Sequence, residues 1–481
     1  MTSSSTRTRF APSPTGRLHL GNVRTALFNY LFAKNLGGRF LLRSEDTDKE
    51  RSQEQFLDGL MDDLRWLGMT WDEGPDIGGP EGPYRQSERD DIYSSYLDSL
   101  LRDERIYPCW CTSAELAIHR KASMAAGKPP IYDRAWGRFS DKEIDRRRAS
   151  GQRPALRFRV PDQGSVSFND LVRGEQEFDV GTIGDFIVQR SDGSPSFFFG
   201  NGVDDALMGV SHVLRGEDHL SNTPRQLLLL QALELPIPLY GHLPLLVDSA
   251  GAPLSKRKGA AALSELRLEG LLPDAINNYL ARLGHAFESG ELMSSGQLAG
   301  HFSVGKIGKT PARYDPQQLE HWQHLALMNC SHEEIIDWAG DEILGDVPVE
   351  IRPRFIELVR PNVKRPAELA DWVRRFFDEN LGVDGAVEGE LQQADPALFR
   401  VAVEAVDSGV EDLAGLATAV TGATGLKGRN LYRPIRLALT GVADGPELGP
   451  IIGIMPRDII RQRLLRWCVT GISTDDGEKR A

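Results

Sequence analysis

Residues 8–48 constrain the fold more than any other stretch. Thr8-Arg9-Phe10-Ala11 reads as a short strand and Pro12-Ser13-Pro14-Thr15-Gly16 as a loop. From Val23 the apolar residues Val23, Ala26, Leu27, Tyr30, Leu31 and Ala33 recur at helical spacing, and Gly37-Gly38 ends that helix. Phe40-Leu41-Leu42-Arg43 reads as a buried strand, followed by the acidic run Glu45-Asp46-Thr47-Asp48. This is a βαβ unit. It commits the chain to a parallel sheet with ligands beyond the carboxyl ends of the strands.

Strand-like runs return at Val210–Leu214 and His242–Val247, with a helical run at Arg225–Leu233 between them, so the parallel sheet is expected to resume. Residues 104–200 mix turns, basic residues and short apolar pieces such as Ala155-Leu156-Arg157-Phe158-Arg159-Val160, the pattern of an inserted α+β module. After about residue 330 the pattern is helical almost to the end. The expected class is α/β: a Rossmann-like parallel-sheet domain (1–103 and 201–255) split by an α+β insertion (104–200). A connecting region (256–330) and an all-α C-terminal region (331–481) follow.

Four cysteines, only Cys109 and Cys111 close together, argue against a disulfide scaffold. No apolar run reaches the ~18 residues of a membrane span, and the N-terminus lacks the apolar core of a secretory leader, so a cytoplasmic location is expected. The net charge of −13 excludes a uniformly basic coat for nucleic acid but not local basic faces. Residues 120–159 carry twelve Lys/Arg against four Asp/Glu, and Lys427, Arg429, Arg433 and Arg436 lie in the acid-free stretch Thr424–Ala443. Either patch reads as a solvated helix face. Two so far apart in sequence suit a long polyanion better than a small one.

Two segments carry the chemistry. Pro12 through Asn22 is a turn-rich loop running into a helix N-terminus, where unpaired N–H groups and the positive dipole end favour anions. Gly21 leaves room for a ligand at the backbone, His19 can donate to a phosphate, and Asn22 suits the helix cap. Pro253-Leu254-Ser255-Lys256-Arg257-Lys258-Gly259 places three cations in a Gly-containing loop after a strand, a clamp for a transferring phosphoryl group. One loop follows an early strand and the other a late one, so both are expected at the carboxyl edge of one sheet.

The chain resembles the class I aminoacyl-tRNA synthetases, and specifically bacterial-type glutamyl-tRNA synthetase. His19-Leu20-Gly21-Asn22 is similar to that family's "HIGH" signature and Leu254-Ser255-Lys256-Arg257 to its "KMSKS" signature. The likeness extends through Arg9–Gly16, Arg24–Asn29, Glu45–Asp48, Tyr84–Arg89, Asp204–Met208, Leu214–Gln226 and Gly441–Pro450, in order and over most of the chain.

The resemblance implies an ATP-dependent glutamate–tRNA ligase. It implies a catalytic domain at the front, an insertion that holds the acceptor end of tRNA, and a helical half that reads the anticodon, with Gly428–Arg436 as a basic loop there. It assigns catalysis to His19, Asn22 and Lys256, and ATP binding to Pro12, Ser13, Gly21, Leu245, Leu246, Ser255, Lys256 and Arg257. It assigns glutamate binding to Arg9, Ala11, Ser13, Glu45, Phe197, Asn201 and Arg215, with Phe197 where the family usually has Tyr. Implied partners are tRNA(Glu), L-glutamate and ATP with Mg²⁺, and a monomer with no membrane association. Cys109-Trp110-Cys111 resembles half of a zinc site found in some members. The expected second half reads Trp136-Gly137-Arg138, and His119 would bring the ligands only to three, so no structural zinc is expected.

Three other readings fit such motifs. A paralogue that glutamylates a tRNA base would lack the helical half. A non-catalytic RNA-binding descendant would be expected to lose His19 or Lys256. A small-molecule nucleotidyltransferase would not need the long helical region after the second loop.

Overall fold

The computed structural model describes residues 6–48, 52–127, 131–254 and 262–468. The chain forms two compact units: residues 1–266 with 276–319, and residues 267–275 with 320–481.

In the first unit, strands β1 (Arg7–Phe10) and β2 (Arg39–Leu42) pair in parallel, Arg7 opposite Arg39 and Phe10 opposite Leu42. The helix Leu20–Asn35 joins them, burying Val23, Ala26, Leu27, Leu31 and Ala33. Phe40, Leu41 and Leu42 are all buried, because a parallel sheet is covered on both faces and its strands are apolar without alternation.

Five strands come next along the chain: β3 (Ile106–Cys109), β4 (Ala155–Phe158), β5 (Ser165–Asp170), β6 (Gly174–Asp179) and β7 (Phe186–Gln189). β3, β4 and β7 make an antiparallel sheet, while β5 and β6 form a hairpin. The helices Ser113–Ala125 and Asp141–Ala149 bury no residue.

A second βαβ unit follows. β8 (His212–Gly216) and β9 (Leu239–Leu243) pair in parallel around the helix Thr223–Ala232. β1 and β8 start side by side, the Ser211 N–H donating to the Arg7 carbonyl at 2.9 Å. Asn29, on the first crossover helix, ties both: its carbonyl accepts from Thr8 Oγ1 and its amide donates to the Leu214 carbonyl, each at 2.9 Å. The expected run His242–Val247 is two strands. β9 ends before Pro244, which has no N–H for a ladder, and β10 (Leu246–Val247) pairs with β11 (Ala312–Arg313). Phe158, Phe186, Phe199, Val203, Val213 and Leu229 form the core beneath these elements.

The second unit has only helices among the described residues from 320 onward, packed on Phe355, Phe376, Phe399, Ile435 and Leu464. The Gly428–Arg436 segment, expected as a loop, is a helix, Arg429–Thr440. Leu431, Ile435 and Leu439 recur every four residues and are buried, and that periodicity outweighs the basic residues between them. Arg433 forms an ion pair with Glu390, so that cation is already partnered.

Candidate active site

The two βαβ units bring the expected residues to one cleft of about 520 Å³. Arg9, Ala11, Pro12, Ser13, His19, Gly21, Asn22, Glu45, Phe197, Asn201, Arg215, Leu245 and Leu246 all line it. Ser255, Lys256 and Arg257 lie outside the described residues. The residues that flank them meet the cleft: Leu254 lines it, Ala262 bridges to His19, and the Leu263 N–H donates to the Leu18 carbonyl at 3.0 Å.

The phosphate-type loop differs from expectation in its cap. His19, not Asn22, caps the helix. Its backbone is extended (φ −106°, ψ 162°), and its Nδ1 faces the Asn22 N–H at 3.4 Å. A neutral imidazole that accepts at Nδ1 carries its proton on Nε2, the tautomer able to donate to an anion. Gly21 serves this arrangement, since a Cβ there would stand 3.1 Å from the His19 ring. Opposite the loop, the Glu45 N–H donates to the Pro12 carbonyl at 3.0 Å, so the end of β2 holds the loop's first turn.

Behind the cleft lies a buried charge network. Arg43 donates to Asp205 at 2.8 Å and to Glu45 at 3.0 Å. Arg9 donates to Asp205 through Nε (3.1 Å) and Nη2 (3.3 Å), so its guanidinium already holds a carboxylate. Asn201 donates to Glu45 at 2.6 Å and accepts from Gln226 at 2.8 Å. Asp204 accepts from Gln86, Arg89 and Tyr93 at 2.7–2.8 Å. Burial would lift the Asp205 carboxyl, but Arg9 and Arg43 overcome it and hold the group below its ordinary range. For Glu45 burial prevails over Arg43, Asn201 and Arg9, and its pKa is raised.

Arg215 is bound differently. Its Nε donates to His242 Nε2 at 3.2 Å and its Nη2 to Thr223 Oγ1 at 2.8 Å, while its buried Nη1 has no partner. No carboxylate lies within salt-bridge distance among the described residues, and burial pulls this guanidinium down to about 10. Phe197 lines the cleft with its ring 5.3 Å from that of His219, whereas Phe199 enters the core. Phe198 packs against the same core through Phe186, so the run of three Phe divides between cleft and core. At the far end, Glu217 accepts from the Leu245 N–H at 2.9 Å and pairs with Arg173. Arg24 donates to the Pro244 carbonyl at 2.8 Å. These two contacts hold the two faces of one peptide, the Pro244 carbonyl and the Leu245 N–H.

Asp205, Glu217 and Gln226 lie in the stretches Asp204–Met208 and Leu214–Gln226 without an assigned role, and Arg43 and His242 lie outside every such stretch. Their trace in the sequence is polarity where the pattern calls for apolar residues: Arg43 ending a buried strand, and Asp204-Asp205 within a helix whose neighbouring residues are buried.

The Cys109 and Cys111 sulfurs lie 3.5 and 3.9 Å from the Tyr132 hydroxyl, and the His119 ring packs at 4.5 Å on Trp136. Among the described residues no group of three or more His, Cys, Asp or Glu is placed to hold a metal ion.

Residues 5–321 match the family of tRNA synthetases class I (E and Q), catalytic domain, and residues 319–468 match the anticodon binding domain family. The chain is 52% identical to glutamate–tRNA ligase 2 of Alkalilimnicola ehrlichii over 468 residues, 96% of this chain and 98% of that one. It is 49% identical to glutamate–tRNA ligase 2 of Nitrosococcus oceani, with the same coverage. The crystal structure of a glutamate tRNA ligase from Elizabethkingia meningosepticum, in complex with its amino acid, is similar at a TM-score of 0.87. That likeness has 29% identity and covers 96% of this chain and 99% of that one. The chain therefore belongs to the class I (E and Q) tRNA synthetases, with a catalytic domain followed by an anticodon binding domain.

Proposed function

We propose that the protein is a glutamate–tRNA ligase, which activates glutamate with ATP and transfers the glutamyl group to the 3′ end of tRNA(Glu). The observation that carries the choice of amino acid is Arg215: a buried guanidinium in the cleft that, among the described residues, pairs with no carboxylate and has one nitrogen without a partner. Such a group awaits an anion. Glu45 in the same cleft supplies the negative counterpart for an α-ammonium.

In this reading the α-carboxylate of glutamate attacks the α-phosphorus of ATP. The bond to the bridging oxygen breaks, and pyrophosphate leaves. A ribose hydroxyl of the tRNA then attacks the acyl carbon and releases AMP. No protein nucleophile is required. The protein holds the two reactants in line and stabilises developing charge. Magnesium enters on the phosphates as part of the substrate. His19 donates to the phosphates from Nε2, Lys256 offsets their charge, and the Leu245–Leu246 backbone, braced by Glu217, receives the adenine.

Residues 104–200 hold the acceptor end in this account. The exposed Arg120 and Lys121, on a helix that buries nothing, support an electrostatic contact with phosphates. Residues 256–330 form the connection, and 331–481 read the anticodon. The protein acts as a cytoplasmic monomer.

Purified protein should charge tRNA(Glu) with labelled glutamate, and ATP–pyrophosphate exchange should depend on glutamate when tRNA is present. Failure to charge any tRNA, or a preference for glutamine, would refute the proposal.

A further inference from the structure

Three buried arginines near the cleft, Arg9, Arg43 and Arg89, each pair with Asp204 or Asp205. Arg215, like Arg24 on the Pro244 carbonyl, is held by uncharged acceptors, here the His242 imidazole and the Thr223 hydroxyl. The imidazole is uncharged for a structural reason. His242 stands directly opposite Arg215 in the β8–β9 register and is fully buried. Its Nδ1 lies 2.5 Å from Asp170 Oδ2. Asp170, at the end of β5, also accepts at Oδ1 from the N–H groups of Val172 (2.9 Å), Arg173 (2.8 Å) and His242 (3.2 Å). A carboxylate with four donors around it stays ionised, so the hydrogen between it and His242 belongs to Nδ1. A second hydrogen on Nε2 would point at the Nε–H of Arg215, donor against donor. His242 therefore remains neutral and presents a lone pair to Arg215. Thr223 Oγ1 lies 3.0 Å from the same nitrogen and closes the triangle.

We propose that Asp170 and His242 are a positioning pair for Arg215: they fix its guanidinium through a neutral acceptor and so leave its charge for the substrate carboxylate. An aspartate in place of the imidazole would hold the arginine equally well and cancel the charge that the ligand needs. Neither residue touches substrate. Both act through Arg215, and this role rests on the glutamate reading given above.

The test compares His242→Leu with His242→Gln, whose amide oxygen restores a neutral acceptor. In tRNA-supported ATP–pyrophosphate exchange, His242→Leu should raise KM for glutamate about tenfold or more, the loss of a hydrogen bond to a charged group. KM for ATP should stay within twofold, and His242→Gln should recover most of the loss. An unchanged KM for glutamate in a folded His242→Leu enzyme would overturn the proposal. So would KM values for glutamate and ATP that rise together. Nitrogen-15 NMR of histidine-labelled unmodified protein decides independently of whether the variants fold. The His242 ring should be neutral with its proton on Nδ1 at pH 7, and an Nε2–H or charged ring would refute the pair. Absence of glutamate-dependent exchange in the unmodified enzyme would count against the proposed function, and the NMR result would still judge the geometry.

Discussion

The Arg43 guanidinium and the Asp205 carboxylate meet at 2.8 Å, and neither side chain exposes more than 1% of its surface. A buried ion pair contributes little net stability, but removal of one partner leaves a charge without compensation. Here Arg43 also faces Glu45 and Asp204, so its loss would take a cation from three carboxylates, of which Asp205 keeps Arg9 and Asp204 keeps Arg89. Arg43→Met should destabilise the protein by about 3–5 kcal/mol, read as a lowered urea midpoint. A variant as stable as the parent would show that water or a rearranged Arg9 replaces the missing cation.

The sequence made the scaffold legible and left its wiring obscure. Both βαβ units follow from apolar runs and turn residues, and the His19 loop sits at the cleft because such loops follow the strands of parallel sheets. Propensity favours Asn22 as the helix cap, whereas the extended backbone at His19 sets the real start. Gly428–Arg436 reads as a loop from its basic residues, which mask the helical periodicity of Leu431, Ile435 and Leu439. The partners of Arg43, Arg215 and His242 lie up to 165 residues away in sequence, and no local pattern encodes such contacts.

His285 gives a dependence on pH. Its ring is buried among Phe28, Phe287 and Phe302, its Nε2 accepts from the Ser303 N–H at 3.1 Å, and burial pulls its pKa down to about 4. An unfolded histidine titrates near 6.5. As pH falls from about 6.5 toward 4, the unfolded chain takes up a proton that the native state refuses, and stability declines by roughly 1 kcal/mol per unit. Above pH 6.5 this contribution is fully present. Urea midpoints at pH 7 and pH 5 should therefore differ less in His285→Leu than in the parent. Equal differences would exclude His285 as a source of acid sensitivity.

The thiol pair bears on metal content. Both sulfurs face the Tyr132 hydroxyl, and among the described residues no group of three or more His, Cys, Asp or Glu is placed to complete a tetrahedral site. Purified protein should contain well under one zinc per chain by elemental analysis, and a chelator should leave its thermal midpoint unchanged. Stoichiometric zinc, lost together with folding, would mean that Cys109, Cys111 and Tyr132 recruit a ligand from elsewhere.

Lys256 follows Leu254, which lines the cleft, by two residues. If Lys256 stabilises the transition state rather than ground-state ATP, Lys256→Ala should lower kcat by ~10²–10³ and change KM for ATP far less. A charging rate near that of the parent would remove Lys256 from the mechanism.

Glutamate and glutamine are nearly isosteric, so their discrimination must come from charge. In the proposed function Arg215 supplies it: two of its nitrogens are fixed by neutral acceptors, and the third has no partner among the described residues. Glutamine would turn amide hydrogens toward this cation and leave buried donors unpaired, a mismatch that sites of this kind reject by up to ~10⁴–10⁵. The most direct measurement is kcat/KM for glutamate and for glutamine in the parent and in Arg215→Gln. The parent should prefer glutamate strongly, and Arg215→Gln should lose that preference by about a hundredfold or more while it still folds and binds tRNA. A preference that stays within about threefold of the parent, roughly 0.65 kcal/mol, would contradict the account.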